Sequence, residues 1–168
     1  MVVQELIAHL GVNLALNMSV LSTTDPAWLR LFTNLLKDCR DVATRLLIEI
    51  TETAVLEDVK EAARFVSTVR DLGCRIALDD IGAGYNSFRH LQEMSVDVVK
   101  IDGSFVQSLV ERADSRIFVR TLQSFADGLG LQTVAECVEN QEVANLLVGN
   151  GVHFLQGWHF GQPSIERP

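Results

Sequence analysis

The sequence predicts an α/β fold made of repeated strand and helix units, and three observations support this prediction. Short apolar runs of strand length alternate with amphipathic stretches of helical spacing. No hairpin signal joins neighbouring runs, and parallel strands need a helical crossover instead. The runs are apolar on both faces, which is typical of strands covered by helices on one side and a packed interior on the other. We expect the 168 residues, 48% of them hydrophobic, to form a single domain.

Six of these apolar runs are predicted strands. A closed barrel of this type has eight strands and typically about 250 residues. Six strands fit either an open doubly wound sheet or a TIM-type (β/α) barrel that lacks two strands, and periodicity alone does not separate the two. The predicted strands are Leu14–Met18, Leu46–Ile50, Arg75–Leu78, Val96–Ile101, Leu131–Ala135 and His153–Leu155.

Four amphipathic stretches between the runs are predicted helices. Asp25 followed by Pro26 predicts the start of the first helix, because an N-cap residue precedes proline at the first helical position. Gly73 and Gly130 predict the ends of the second and third. A weaker helical pattern covers Val2 to Leu10, and Asn140 precedes the fourth helix. The predicted buried faces are Leu29, Phe32, Leu35 and Leu36; Val59, Ala62, Ala63, Val66 and Val69; Ile117, Phe118, Leu122, Phe125 and Leu129; and Val143, Leu146 and Leu147.

Charge and cysteine content narrow the class of protein. The formal charge is −8, with 14 basic residues against 22 acidic ones, which argues against binding a nucleic-acid polymer. The apolar runs are too short to span a bilayer, so no membrane partner is expected. Cys39, Cys74 and Cys137 are far apart and form no Cys-x-x-Cys pair, which indicates reduced thiols in a cytoplasmic protein. We expect Cys137, Trp28 and Trp158 to pack in the interior.

Polar residues occupy the C-terminal end of every predicted strand. A parallel α/β fold gathers these ends at a single rim, where such folds place their functional sites. Six separate segments contribute to this pattern. The residues are Asn17, Glu49, Asp79, Asp80, Lys100, Asp102, Glu136 and Gln156.

The carboxylates and the amide on this rim favour a site for hard divalent cations. Unpaired buried carboxylates are unfavourable, and oxygen donors of this kind suit Mg²⁺ or Mn²⁺. Two adjacent aspartates could serve two ions about 3.5–4 Å apart, an arrangement that supports phosphodiester hydrolysis. Lys100 could hydrogen-bond a water or a phosphate oxygen, or it could simply pair with Asp102 or Asp80. Glu49 taken alone could be a helix cap or a surface carboxylate.

Six short motifs follow one another along the chain. They are Asn17-Met18-Ser19, Glu49-Ile50-Thr51-Glu52, Asp79-Asp80-Ile81-Gly82-Ala83-Gly84-Tyr85-Asn86-Ser87, Val99-Lys100-Ile101-Asp102, Val134-Ala135-Glu136-Cys137-Val138-Glu139 and Gln156-Gly157-Trp158-His159-Phe160. In this order they resemble the Asn-x-Ser, Glu-x-Thr-Glu, Asp-Asp-Phe-Gly-Thr-Gly-Tyr-Ser-Ser, Lys-Ile-Asp, Val-Ala-Glu-Gly-Val-Glu and Gln-Gly-Tyr-x-Phe segments of the EAL family of bacterial cyclic di-GMP phosphodiesterases.

The resemblance implies a (β/α) barrel that cleaves cyclic di-GMP to the linear dinucleotide pGpG in bacterial second-messenger signalling, with two Mg²⁺ or Mn²⁺ ions in the complete site. It implies that Lys100 orients the attacking water and that Glu136 is a ligand or a base. Gln156 would help to hold the substrate or a metal-bound water, and Glu52 would fix the loop from Asp79 to Ser87. The implied metal ligands are Asn17, Glu49, Asp79, Asp80 and Glu136.

The sequence departs from the family where the name-giving Glu-Ala-Leu segment would be, since only sixteen residues precede Asn17. We therefore interpret residues 1–168 as a single partial EAL-type domain that is weakly active or inactive alone. The alternative is a catalytically inactive module that binds cyclic di-GMP or another protein. An incomplete barrel exposes sheet edges, so we expect self-association through those edges or through the helix from Ser104 to Gly130 that the family uses for dimers.

Overall fold

Strands and helices alternate in the computed structural model, which describes residues 2–19, 22, 24–82, 91 and 94–164. The described residues divide into two compact units, one ending at Val98 and one beginning at Val99. Within these ranges the strands are β1 (Leu14–Met18), β2 (Leu46–Thr51), β3 (Arg75–Ile81), β4 (Val98–Ile101), β5 (Gln132–Ala135) and β6 (Phe154–Leu155). The helices are α1 (Val2–Ala8), α2 (Pro26–Leu36), α3 (Arg40–Ala43), α4 (Glu52–Glu57), α5 (Val59–Asp71), α6 (Gly103–Gln107), α7 (Ala113–Leu129) and α8 (Gln141–Gly149).

The six predicted strands and the α/β class are confirmed, with shifts of a few residues at the strand ends. Predicted strand three extends beyond Leu78 to Ile81, and Asp79 still pairs with Thr51 of β2. The strand predicted from Val96 begins only at Val98. The short helices α3 and α4 have too few residues for a periodic pattern, and the sequence did not predict them. The expected single helix from Ser104 to Gly130 is wrong, because residues 108–112 are not helical and separate α6 from α7. None of the described helices is long and apolar enough to cross a bilayer.

The first unit is built on a parallel sheet in which β1 pairs with β2 and β2 with β3. Its core holds the fully buried Ile48, Ile76 and Leu78 of the sheet. Helix α5 contributes Phe65 and Val66, of which Phe65 was missing from the predicted buried face. These strands have apolar side chains on both faces, as the sequence predicted for covered parallel strands.

Helix boundaries in the first unit follow the predicted signals, whereas one apolar face does not. The Asp25 carboxylate accepts a hydrogen bond from the Ala27 N–H at 2.8 Å and caps α2. Leu35 was predicted to be buried and is 49% exposed, so that prediction is wrong. The buried face of α2 instead has a spacing of four residues, with Trp28, Phe32 and Leu36 in succession. The Trp28 ring stacks on the Phe32 ring with 4.8 Å between centroids.

Arg45 ties the N-terminal helix to the start of β2. Its guanidinium donates hydrogen bonds to the carbonyls of Leu6 at 2.7 Å, His9 at 2.8 Å and Val12 at 3.2 Å. The last carbonyls of a helix have no partners within the helix, and a cationic side chain satisfies them well. A residue 39 positions from Leu6 therefore completes the end of α1.

The second unit contains β5, β6 and all of β4 except its first residue, Val98. The Glu136 N–H, just after β5, donates to the Ile101 carbonyl of β4 at 3.5 Å, and β6 pairs in parallel with β5 over two residues. Helix α7 ends at Gly130 with φ +69°, and Asn140 caps α8 by accepting from the Val143 N–H at 2.9 Å. Both boundaries were predicted.

The buried face of α7 differs from the predicted one. Ile117 is 56% exposed and Leu129 is 43% exposed, so their predicted burial is wrong. The face turned inward carries two polar residues, Ser115 and Gln123, which apolar periodicity does not detect. Ser115 contacts the Ser108 hydroxyl at 2.8 Å, and Gln123 binds Thr133. The buried residues are Ser115, Val119, Leu122, Gln123 and Ala126.

Candidate active site

Three predicted site residues of the first unit share one face of its sheet. Asn17 on β1 pairs in register with Glu49 on β2, and Glu49 pairs with Ala77 on β3. Asp79 follows Ala77 by two residues. Because successive strand residues point to opposite faces, Asn17, Glu49 and Asp79 lie on the same face near the C-terminal ends of their strands.

The two carboxylates on this face are buried, and the amide is exposed. Glu49 is 7% exposed and Asp79 is 8% exposed. Asp79 accepts a hydrogen bond from the Asp80 N–H at 3.0 Å. Buried anionic groups so close in register need compensating charge or donors.

The strand end after Asp79 has an unusual backbone. Asp80 has φ +59°, a left-handed conformation that side chains other than glycine rarely adopt, and Gly82 follows with φ +116°. Strain of this kind occurs where a functional site fixes a side-chain direction. Asp80 therefore departs from regular strand geometry although it lies within β3.

Glu52 begins α4 and is only 2% exposed. Thr51, just before it, caps the helix by accepting from the Ala54 N–H at 3.3 Å. The predicted role of Glu52 concerns the loop from Asp79 to Ser87. Residues 83–87 lie outside the described part of the chain, so that role stays a prediction.

In the second unit, Lys100 and Glu136 form a largely buried ion pair. Lys100 Nζ and Glu136 Oε1 are 2.7 Å apart, and the two side chains are 5% and 20% exposed. Asp102, considered above as a partner of Lys100, caps α6 by accepting from the Ser104 N–H at 2.9 Å. The pair brings a donor and an acceptor together at the ends of β4 and β5.

A cavity of about 580 Å³ in the second unit opens beside this pair. Glu136 and Gln156 line it, together with two residues that the sequence did not single out, Gln107 and Glu139. Gln107 Nε2 donates to Glu139 Oε1 at 3.2 Å. Glu139 is the last residue of the Val134–Glu139 motif, which could have pointed to it, whereas Gln107 belongs to none of the six motifs.

Two residues of the cavity wall were predicted to be packed and are not. Trp158 is 67% exposed, so its predicted packing role is wrong, whereas Trp28 packs as expected. Cys137 is exposed, with φ +54°. Desolvation, followed by the negative charges of Glu136, Asp102 and Glu139, raises the pKa of the Cys137 thiol. The cavity wall therefore carries negative charge from Glu136 and Glu139, and the exposed Trp158 adds an aromatic surface to it.

The two groups of residues have complementary chemistry. The amide and carboxylate oxygens of the first unit suit a hard cation. The ion pair of the second unit offers an ammonium that donates hydrogen bonds and a carboxylate that accepts protons. Gln156 adds an amide that can donate and accept within the cavity.

Comparison with known proteins identifies relatives over nearly the whole chain. The EAL domain family matches residues 2–163. The cyclic di-GMP phosphodiesterase PdeL of Escherichia coli is 36% identical over 155 residues, which are 92% of this chain and 42% of that protein. PdeB of Shewanella oneidensis, also named a cyclic di-GMP phosphodiesterase, is 40% identical over 115 residues, or 68% of this chain and 13% of that protein. The chain thus spans less than half the length of these curated relatives.

Solved structures agree with this assignment. The FimX EAL domain from Pseudomonas aeruginosa, bound to c-di-GMP, superposes with a TM-score of 0.89 and 26% identity, covering 96% of this chain and 66% of that one. The PaMucR phosphodiesterase in complex with c-di-GMP gives a TM-score of 0.85 and 27% identity, covering 97% and 66%. These likenesses confirm the predicted fold class, and the chain belongs to the EAL domain family.

Proposed function

We propose that this chain is part of a phosphodiesterase domain that hydrolyses cyclic di-GMP to linear pGpG in the bacterial cytoplasm, and that residues 1–168 form a single partial EAL-type domain. The register that sets Asn17, Glu49 and Asp79 on one sheet face carries the proposal. The names of PdeB and PdeL support it, and so does c-di-GMP in the FimX complex.

Metal dependence is part of this proposal, because EAL domains are metal-dependent. The donor set fits a hard divalent cation, since Glu49 and Asp79 bring buried carboxylates to the face that carries the Asn17 amide. We assign Asn17, Glu49, Asp79 and Asp80 of the first unit, and Glu136 of the second, as ligands of two Mg²⁺ or Mn²⁺ ions. When bound, such ions would supply positive charge to a phosphate oxygen and lower the pKa of a bound water.

The residues of the second unit have separate tasks in this proposal. The Lys100 ammonium donates hydrogen bonds to the attacking water or to a phosphate oxygen and stabilises the charge that develops there. Glu136, held 2.7 Å from Lys100, accepts a proton. Gln156 binds the substrate in the cavity through its amide. Glu52 holds the loop that follows β3.

A second candidate is a catalytically inactive module that binds cyclic di-GMP or a partner protein, and that self-associates. The FimX EAL domain bound to c-di-GMP supports binding of this nucleotide, which the module would share with the enzyme. The two candidates share the ligand and differ in turnover.

The experiment measures binding and cleavage of cyclic di-GMP with Mg²⁺, with Mn²⁺ and with a chelator. It uses the 168-residue chain and a version extended by the N-terminal segment of a related EAL domain. We expect metal-dependent binding by both and weak or no turnover by the shorter chain, with pGpG produced by the extended one. Glu49→Gln and Lys100→Met should reduce that turnover by about 100-fold or more.

Exposed residues of the same types give matched controls. Glu142→Gln and Lys60→Met change the same charges on the surfaces of α8 and α5 and should leave turnover unchanged. Binding by both forms with cleavage by neither favours the inactive module and overturns the enzyme. Failure of both forms to bind cyclic di-GMP overturns the enzyme and the nucleotide-binding module.

A further inference from the structure

A buried polar network connects α7, β5 and the residue before β6. Thr133 on β5 is fully buried and Gln123 on α7 is 3% exposed. The Thr133 hydroxyl donates to Gln123 Oε1 at 2.7 Å, and Gln123 Nε2 donates to Asp127 Oδ1 at 2.8 Å. Because both ends of the Gln123 amide are engaged, its orientation is fixed.

Thr133 and His153 bind each other reciprocally across the β5–β6 pair. The Thr133 N–H donates to His153 Nδ1 at 3.1 Å, and the His153 N–H donates to Thr133 Oγ1 at 3.1 Å. Two backbone donors are thus satisfied by side chains rather than by the opposite backbone. The pairing depends on these two side chains as well as on the backbone.

The backbone ladder between β5 and β6 is very short. It consists of Val134 opposite Phe154 and Ala135 opposite Leu155. A ladder this short specifies its register weakly, and a slip by one residue turns every side chain to the other face. The Thr133–His153 pair lies directly before these two pairs, with the same offset of 20 residues.

The same offset extends to the other end of the strands, where the candidate site lies. It sets Gln156 opposite Glu136, and both residues line the cavity. The Gln156 N–H donates to the Ala135 carbonyl at 2.8 Å, and the Gln156 carbonyl accepts from the Val138 N–H at 3.0 Å. A slip by one residue would replace Gln156 in the wall by Leu155 or Gly157.

We propose that Gln123, Thr133 and His153 form a register clamp that positions Gln156 beside Glu136. They are positioning residues, since they act through Gln156 and Glu136, three residues further along each strand. Their importance for ligand binding depends on the function proposed above, whereas the register itself does not. The clamp requires a hydroxyl at 133 and a nitrogen or oxygen acceptor near the His153 Nδ1 position.

Amide hydrogen exchange of the free chain tests the register without any ligand. His153→Leu removes the acceptor at an exposed position, so the protein should still fold. Thr133→Val removes the hydroxyl at nearly constant volume. In both variants we expect the Gln156 and Val138 amides to exchange about tenfold faster, with the amides of β2 unchanged. His153→Asn and Thr133→Ser keep the polar atoms and should restore protection.

Unchanged protection of Gln156 in His153→Leu overturns the clamp, and so does an equal loss of protection in β2, which would indicate general destabilisation. With cyclic di-GMP and Mg²⁺, His153→Leu should weaken binding about fivefold, while the exposed control His9→Leu should not. If the unsubstituted chain binds no cyclic di-GMP, the proposed function fails and the exchange result still decides the clamp.

Discussion

Gly157 lies against the backbone of Val138, and its replacement by alanine gives a sharp prediction. A Cβ atom at Gly157 would lie 2.2 Å from the Val138 carbonyl oxygen and 2.3 Å from the Val138 nitrogen. Backbone atoms cannot yield as the end of a flexible side chain can. The turn after β6 must therefore move away from Val138.

The magnitude follows from the hydrogen bonds that this movement breaks. Val138 donates to the Gln156 carbonyl at 3.0 Å and accepts from the His159 N–H at 3.0 Å. Each bond contributes about 1 kcal/mol, and overpacking adds at least about 1 kcal/mol. Gly157→Ala should therefore lower the free energy of unfolding by about 3 kcal/mol.

Urea unfolding followed by circular dichroism measures this change. With a slope of about 2 kcal/mol per molar urea, the midpoint should fall by about 1.5 M. Gly128→Ala is the matched control, because its Cβ would meet nothing within 4 Å and it lies in α7, where alanine should stabilise by about 0.5 kcal/mol. A Gly157→Ala midpoint within about 0.3 M of the unsubstituted chain would refute the steric reasoning.

Three further predictions concern stability. Arg45→Met removes four hydrogen bonds to carbonyls, those of Leu6, His9, Val12 and Asp41, and should destabilise by about 4 kcal/mol in urea unfolding. The exposed Arg64→Met should change stability by less than about 0.5 kcal/mol. Burial raises the pKa of the Cys74 thiol to about 11, so the folded state favours the neutral thiol. The neutral thiol therefore adds its full contribution to the free energy of unfolding below about pH 9, and this contribution is lost as the pH rises through 11. The free energy of unfolding of Cys74→Ala should not fall in this way over the same pH range. Cys137 has φ +54°, so Cys137→Gly should be about 1 kcal/mol more stable than Cys137→Ala by thermal unfolding, the reverse of the usual order.

Local signals in the sequence predicted the helix boundaries and the strand positions well. A helix boundary depends on residues close together in the chain, so a single segment is enough to predict it. Asp25 and Asn140 cap the starts of their helices, and Gly130 ends its helix with a left-handed backbone. The polar strand ends predicted candidate residues for the same reason. Their pairing in register, as between Asn17 and Glu49, needed the structure, because it joins segments 32 residues apart.

Buried polar residues were the feature that the sequence predicted least well. Gln123 and Thr133 are buried because they satisfy each other, and neither has an apolar neighbour pattern that reveals this. The prediction that Ile117 lies on the buried face of α7 was wrong for the same reason, because polar residues such as Gln123 occupy that face. The prediction for Trp158 was wrong in the opposite sense. This large apolar side chain was expected in the interior and instead lies exposed at the cavity.

The contacts of Arg45 have a consequence for the order of folding during synthesis. Helix α1 has seven residues, too few to be stable alone in water, and its terminal carbonyls find their partner in Arg45. The ribosome therefore synthesises α1 before Arg45, whose side chain binds the Leu6 carbonyl at the end of this helix. Helix α1 is thus made before α2 and α3 but becomes stable only after Arg45 has been made, and until then its residues are accessible to chaperones and proteases.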